Sequence, residues 1–177
     1  MEEKEGPNDF LRLAHWLQEN QRYLEVAKQL EDEGRKRIIL DRESKEPYLI
    51  RYYYQNFRPY CRIVLHRILR SDVEGLHDHP WPANTFILSG GYWESLQKKR
   101  SSNEVNKVWR PAGHHGQFGA NYYHRLELDH VKAGGDTWTL FMMGPKEKDW
   151  GFLDKDGKWV QHEEYIKIKT GLGIKNE

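Results

Sequence analysis

The period of the apolar residues changes once along this chain, and that change limits the fold more than any other feature. Before Arg37 apolar positions recur every three to four residues; after it they alternate. Phe10, Leu11, Leu13, Ala14 and Leu17, followed by Tyr23, Leu24, Ala27 and Leu30, give residues 8–34 one apolar helical face. Asn8 or Asp9 is the expected N-cap, and Gly34 the residue that stops the helix. From Arg37 onward come eight short runs rich in β-branched and aromatic residues: RIILD, YLIRYYYQ, CRIVLHRIL, TFILSGGYWESLQ, NKVW, YYHRLEL, TWTLFMMG and KWVQH. Turn-forming stretches (RESKE, SDVEG, KKRSSNE, KAGGD and DKDG) separate them. This spacing predicts a mainly β protein, a jelly roll or related barrel able to enclose a ligand. The expected organisation is one structural domain, with helical residues 1–36 packed against a barrel of residues 37–177.

Composition narrows what such a barrel serves. Seven Trp and ten Tyr suit strands or an aromatic-lined cavity better than a helical bundle. The net charge is +1 with no long basic run, which argues against nucleic-acid or membrane-surface partners. Cys61 is the one cysteine, so no intramolecular disulfide forms and a reducing compartment is expected. The acidic start MEEKEGPND has no apolar core of a signal peptide, and no stretch approaches about 18 apolar residues. The expectation is a cytoplasmic protein.

The chemistry gathers in two segments. In Gly75-Leu-His77-Asp-His79-Pro-Trp81, residues two apart on an extended chain face the same way, so His77 and His79 project together while Asp78 points away. Two imidazoles side by side supply adjacent corners of a metal site, although an H-x-H pair alone is a weak signal. The second segment, Tyr122-Tyr-His124-Arg-Leu126-Glu-Leu128, adds His124 in an otherwise apolar and aromatic row. His115, in the glycine-rich HHGQFGAN with no strand pattern, is the alternative third histidine.

With these residues the sequence resembles the cupin superfamily, specifically its small, epimerase-like jelly-roll members, over roughly residues 47–165. The first cupin motif places an acidic ligand after H-x-H and a glycine after six further residues. Here Asn84 stands in the acidic position and Gly91 follows at the right distance. The second motif is matched by Pro111-Ala-Gly113 and a later histidine, His124 or His115. The resemblance implies a double-stranded β-barrel, a homodimer, and one divalent transition metal on His77, His79 and His124. Asn84 or His115 would act as a further ligand or support one. Fe(II) is favoured, with Zn, Ni or Mn as alternatives. Three neutral histidines leave the metal its full charge, as in the thiol dioxygenases among cupins. Glu94 shares the parity of Asn84 and Tyr92, so it either restores a carboxylate or is turned outward by a bulge at Gly90-Gly91.

Three functions fit: a non-haem iron dioxygenase-like oxidoreductase acting on a small polar or anionic substrate, a metal-assisted isomerase, epimerase or lyase acting on a sugar or nucleotide derivative, and a non-catalytic binding cupin. A general base would come from Tyr122, His66 or Glu94. Trp81, Phe86, Tyr92 and Trp138 are candidate pocket residues, each equally an ordinary core residue. Arg67 interrupts the apolar row Ile63, Leu65, Leu69, which makes it the candidate anchor for a substrate anion, against the alternative of an ion pair with a protein carboxylate. Trp150-Gly-Phe152 is expected at a barrel rim, and Lys146 and Lys148 in a solvated loop.

Overall fold

A computed structural model describes residues 7–42, 44–57, 61–73, 75–98 and 104–170. The chain opens with two helices, α1 (Pro7–Gln18) and α2 (Arg22–Asp32), joined by a short 3-10 turn in which Asn20 takes φ 52°. The first helix begins at Pro7, ahead of the expected N-caps Asn8 and Asp9; a proline suits a helix start because its missing N–H has no partner to lose. Gly34, with φ 72°, ends α2 as expected.

Eleven strands follow among the described residues. Six form one antiparallel sheet in the order β1 (Lys36–Leu40), β2 (Pro47–Phe57), β3 (Cys61–Ile68), β9 (Thr137–Met143), β4 (Ala83–Ser89) and β7 (His115–Phe118). Opposite lies a smaller sheet, β6 (Val105–Pro111), β5 (Gly91–Gln97) and β8 (His124–Leu128). A hairpin of β10 (Gly151–Leu153) and β11 (Trp159–Gln161) completes the sandwich; α3 (His130–Ala133) and α4 (His162–Thr170) are peripheral. Isolated bridges from His77 to His124 and to Phe152 join the hairpin to the edge of β8. The result is an open two-sheet jelly roll, mainly β, with the helices at its N-terminal end. No described helix is long and apolar enough to cross a membrane.

The run TFILSGGYWESLQ is not one strand. It passes from the large sheet to the small one at Gly90-Gly91, where Gly90 takes φ 74° and a Cβ on Gly91 would lie 2.6 Å from the Arg110 carbonyl oxygen. Two strands lie where no strand pattern is visible: β7 within HHGQFGAN, and β10, which contains Gly151 and Phe152 of the expected rim turn.

Both faces of the large sheet are covered, and this decides where the site lies. On its outer face Tyr52, Leu65, Phe86, Leu88, Trp138 and Leu140 pack against Phe10, Ala14, Leu17, Tyr23, Ala27 and Leu30 of the helices. On the inner face Leu49, Ile68 and Ile87 meet Tyr92, Leu126 and Leu128 of the small sheet. This inner core fills one part of the sandwich, and the rest is a cavity of about 560 Å³.

Candidate metal centre

The site begins with a backbone pairing. His77 and His124 sit opposite one another and exchange both backbone hydrogen bonds, each N–H donating to the other's carbonyl at 3.0 Å. Such opposed residues present their side chains to the same face. His77 is held only by these isolated bridges, so the H-x-H segment is an extended loop and not a strand. The alternation still holds within it. His79 turns the same way as His77, and its Nε2 lies 2.9 Å from Nε2 of His124. The ligand atoms of His77, His79 and His124 all lie within 4.8 Å of one another. Among the described residues no acidic side chain joins this group.

Asp78 points the opposite way and is fully buried. It accepts hydrogen bonds from Gly151 N–H at 2.8 Å and Trp159 Nε1 at 3.1 Å, and it pairs with Lys148. One residue thereby pins β10, β11 and the loop that carries both histidines. Lys148 is therefore not part of a solvated loop: a buried carboxylate needs a cation or several donors, and here it has both.

His124 is oriented from behind. Its Nδ1 lies 2.8 Å from Glu94 Oε1, which leaves Nε2 to face His79. The Glu94 carboxylate also accepts from Arg110 Nε at 2.8 Å and from the Tyr122 hydroxyl at 3.2 Å. Burial alone would raise the Glu94 carboxyl, but the bonds and charges of His124 and Arg110 outweigh it and hold it below the usual range. Glu94 thus faces inward, where it supports a ligand in place of being one. Tyr122 titrates high, pushed up to about 12 by burial and then by the Glu94 charge. It keeps its proton at neutral pH.

The donors suit a divalent transition metal. Burial pushes His77 below its ordinary pKa, and burial with the charges of His124 and His77 pushes His79 well below. Neutral imidazole is the form that binds metal. Two nitrogens each about 2.1 Å from one ion and at right angles to each other lie about 3 Å apart, close to the His79–His124 spacing. Aromatic rings enclose the trio. Trp81 stacks on His79 with ring centroids 4.8 Å apart, Phe118 lies 5.5 Å from His79, and Phe152 lies 5.8 Å from His77.

Several expected site residues fall elsewhere. Arg67 is on the outer face, 2.6 Å from Asp136, with its guanidinium over Trp138. Phe86 and Trp138 belong to the helix-covered core. Asn84 shares the outer parity of Phe86; its Oδ1 accepts from His115 Nε2 at 3.3 Å, so neither residue joins the histidine trio. Trp81, Tyr92, Tyr122 and Glu94 do line the cavity, as does His66. His66 Nε2 accepts from Arg51 Nε at 3.0 Å, and burial followed by the Arg51 charge holds it well below its ordinary pKa. Its lone pair is therefore engaged. Arg51, Arg110, Phe118 and Phe141 also line the cavity, beyond the residues that the sequence points to. A charged residue within the aromatic run YLIRYYYQ was the available signal for Arg51.

No sequence family matches the chain, and no curated protein sequence does. Solved structures with a related arrangement include hydroxypropylphosphonic acid epoxidase from S. wedmorenis, at 12% identity and TM-score 0.46, covering 61% of this chain and 55% of that one. The polyketide cyclase RemF from Streptomyces resistomycificus matches at 13% identity and TM-score 0.45, covering 67% and 78%. A Ralstonia eutropha protein described as having a cupin-like fold matches at 12% identity and TM-score 0.45, covering 70% of each chain. The alignment to the epoxidase thus spans little more than half of that protein's length. These likenesses concern the path of the chain, not its chemistry.

Proposed function

We propose that this chain is a metal-dependent oxidoreductase of the dioxygenase type, acting on a small polar or anionic substrate within the cavity. The observation that carries this reading is a trio of histidines, His124 buried and His77 and His79 half-buried, with no carboxylate among the candidate ligands, facing an aromatic-walled cavity of about 560 Å³. His77, His79 and His124 would hold a divalent ion without a charged ligand, and such an ion would supply Lewis-acid polarisation of a bound substrate.

The chain's own groups do the rest. Glu94, clamped by Arg110, fixes the ring of His124 and its tautomer. Tyr122 stays protonated and donates that proton to Glu94, so it helps hold the carboxylate and does not act as a base. Trp81, Phe118 and Phe141 keep bulk water from the wall around His79.

Elemental analysis of untagged protein, followed by oxygen uptake with a panel of small organic acids and amino acids, tests the reading. About one iron per chain and substrate-dependent oxygen uptake are expected. Zinc, nickel or manganese without oxygen uptake would favour an isomerase or lyase, and a chain that binds no metal would contradict the proposal.

A further inference from the structure

Three arginines, Arg42, Arg51 and Arg110, line the cavity with three carboxylates, Asp41, Asp72 and Glu94, but they are not all paired with one another. Of the cavity-lining cations, Arg110 is matched by Glu94 at 2.8 Å, and Arg42 lies exposed with its guanidinium 5.0 Å from the Trp150 ring centre. Of the other lining acids, Asp41 accepts from Ser44 N–H at 2.7 Å, and Asp72 accepts from Leu126 N–H at 2.6 Å and from the Tyr48 hydroxyl. Arg51 remains. It lines the cavity and makes no ion pair with any carboxylate among the described residues. Burial disfavours its charge; the Tyr53 phenol offsets this in part, while Arg62 and Arg37 add to it. A half-buried guanidinium without a carboxylate is costly, and an anion from outside the chain would offset that cost.

Its position makes that anion part of the metal chemistry. Arg51 pairs with His66 across β2 and β3, and its Nε–H is spent on His66 Nε2 at 3.0 Å, which fixes the plane of the fork. His66 lies 5.3 Å from the Phe141 ring, and Phe141 lies 6.5 Å from that of His79. Arg51, His66, Phe141 and His79 thus follow one another along a single wall.

Resting on the reading of this cavity as the substrate site, we infer that Arg51 binds the carboxylate of a small organic acid whose other end reaches the three-histidine centre. A carboxylate is favoured over a phosphate because one unpaired guanidinium balances a monoanion. The two coplanar oxygens of a carboxylate also match the planar fork that His66 holds in place. This is the role expected of Arg67, transferred to the residue that faces the cavity.

The test is calorimetric titration with propionate, its neutral isostere propionamide and inorganic phosphate, on metal-loaded and metal-free protein. Wild type should bind propionate in both forms and prefer it over the other two. Arg51→Gln should weaken propionate about tenfold or more with metal content unchanged, and Arg51→Lys should weaken it less. Propionate binding that is absent from wild type, matched by propionamide or phosphate, or unaltered by Arg51→Gln would overturn the inference. If Arg51→Gln loses its cooperative melt, the wild-type preference for propionate over propionamide and Arg51→Lys decide the question. The two readings fail separately. Propionate bound through Arg51 in a chain that takes no metal sinks only the oxidoreductase. A full metal site with binding indifferent to Arg51 sinks only the carboxylate subsite.

Discussion

Nδ1 of His124 lies 2.8 Å from Oε1 of Glu94, and both side chains are only 8% exposed. A carboxylate on the far side of a ligand ring fixes which nitrogen carries the proton and leaves the other free for the metal. The residue that comes nearest to restoring a carboxylate to the centre therefore does so one step behind it.

Replacing Glu94 by Gln keeps an acceptor but removes the charge that Arg110 balances. Metal affinity should fall by about 10- to 100-fold, measured by competition with a chromogenic chelator. Affinity equal to wild type would show that His124 needs no such support.

Asp78 anchors the loop that bears His77 and His79 without touching the centre. Asp78→Ala leaves Lys148, Gly151 N–H and Trp159 Nε1 without their acceptor. Stability should drop by about 3–5 kcal/mol in urea unfolding, the scale for breaking a buried pair. A loss below about 1 kcal/mol would mean that the hairpin holds itself in place.

Much of this was legible in the sequence, and the failures share one cause. Alternation in CRIVLHRIL correctly separates the row of His66 and Ile68 from the row of Leu65 and Arg67. It does not say which row faces the cavity. Because α1 and α2 cover the outer face, Phe86, Trp138 and Leu65 are as buried there as residues between the sheets, so an apolar row is no guide to the inside. That ground places Arg67 inward, and it does not single out Arg51 in a strand with the same mixture. The H-x-H pair and His124 were readable because their residue types carry chemistry at any register. Their meeting depends on the His77–His124 bridge, which joins positions 47 residues apart and leaves no local trace.

His66 gives a pH dependence whose sign follows from its burial. Its folded pKa lies well below the ordinary value of about 6.5, so as pH falls through that value the unfolded chain binds a proton that the folded chain refuses. Stability contributed by neutral His66 is thus full above pH about 6.5 and declines below it, towards the depressed folded pKa. In metal-free protein, His66→Gln should reduce the slope of unfolding free energy against pH, between about pH 5 and 6.5, by up to about 1.4 kcal/mol per unit. An unchanged slope would mean that His66 takes up its proton in the folded state.

The central claim is that three histidines from the 77–79 loop and β8 hold one metal ion. Anomalous diffraction at the absorption edge of the metal found by elemental analysis tests it most directly. The account predicts a single strong peak about 2.0–2.3 Å from a ring nitrogen of each of His77, His79 and His124, lost in His79→Ala. A metal-bearing crystal whose peak lies elsewhere, or whose peak survives unchanged in His79→Ala, would contradict it.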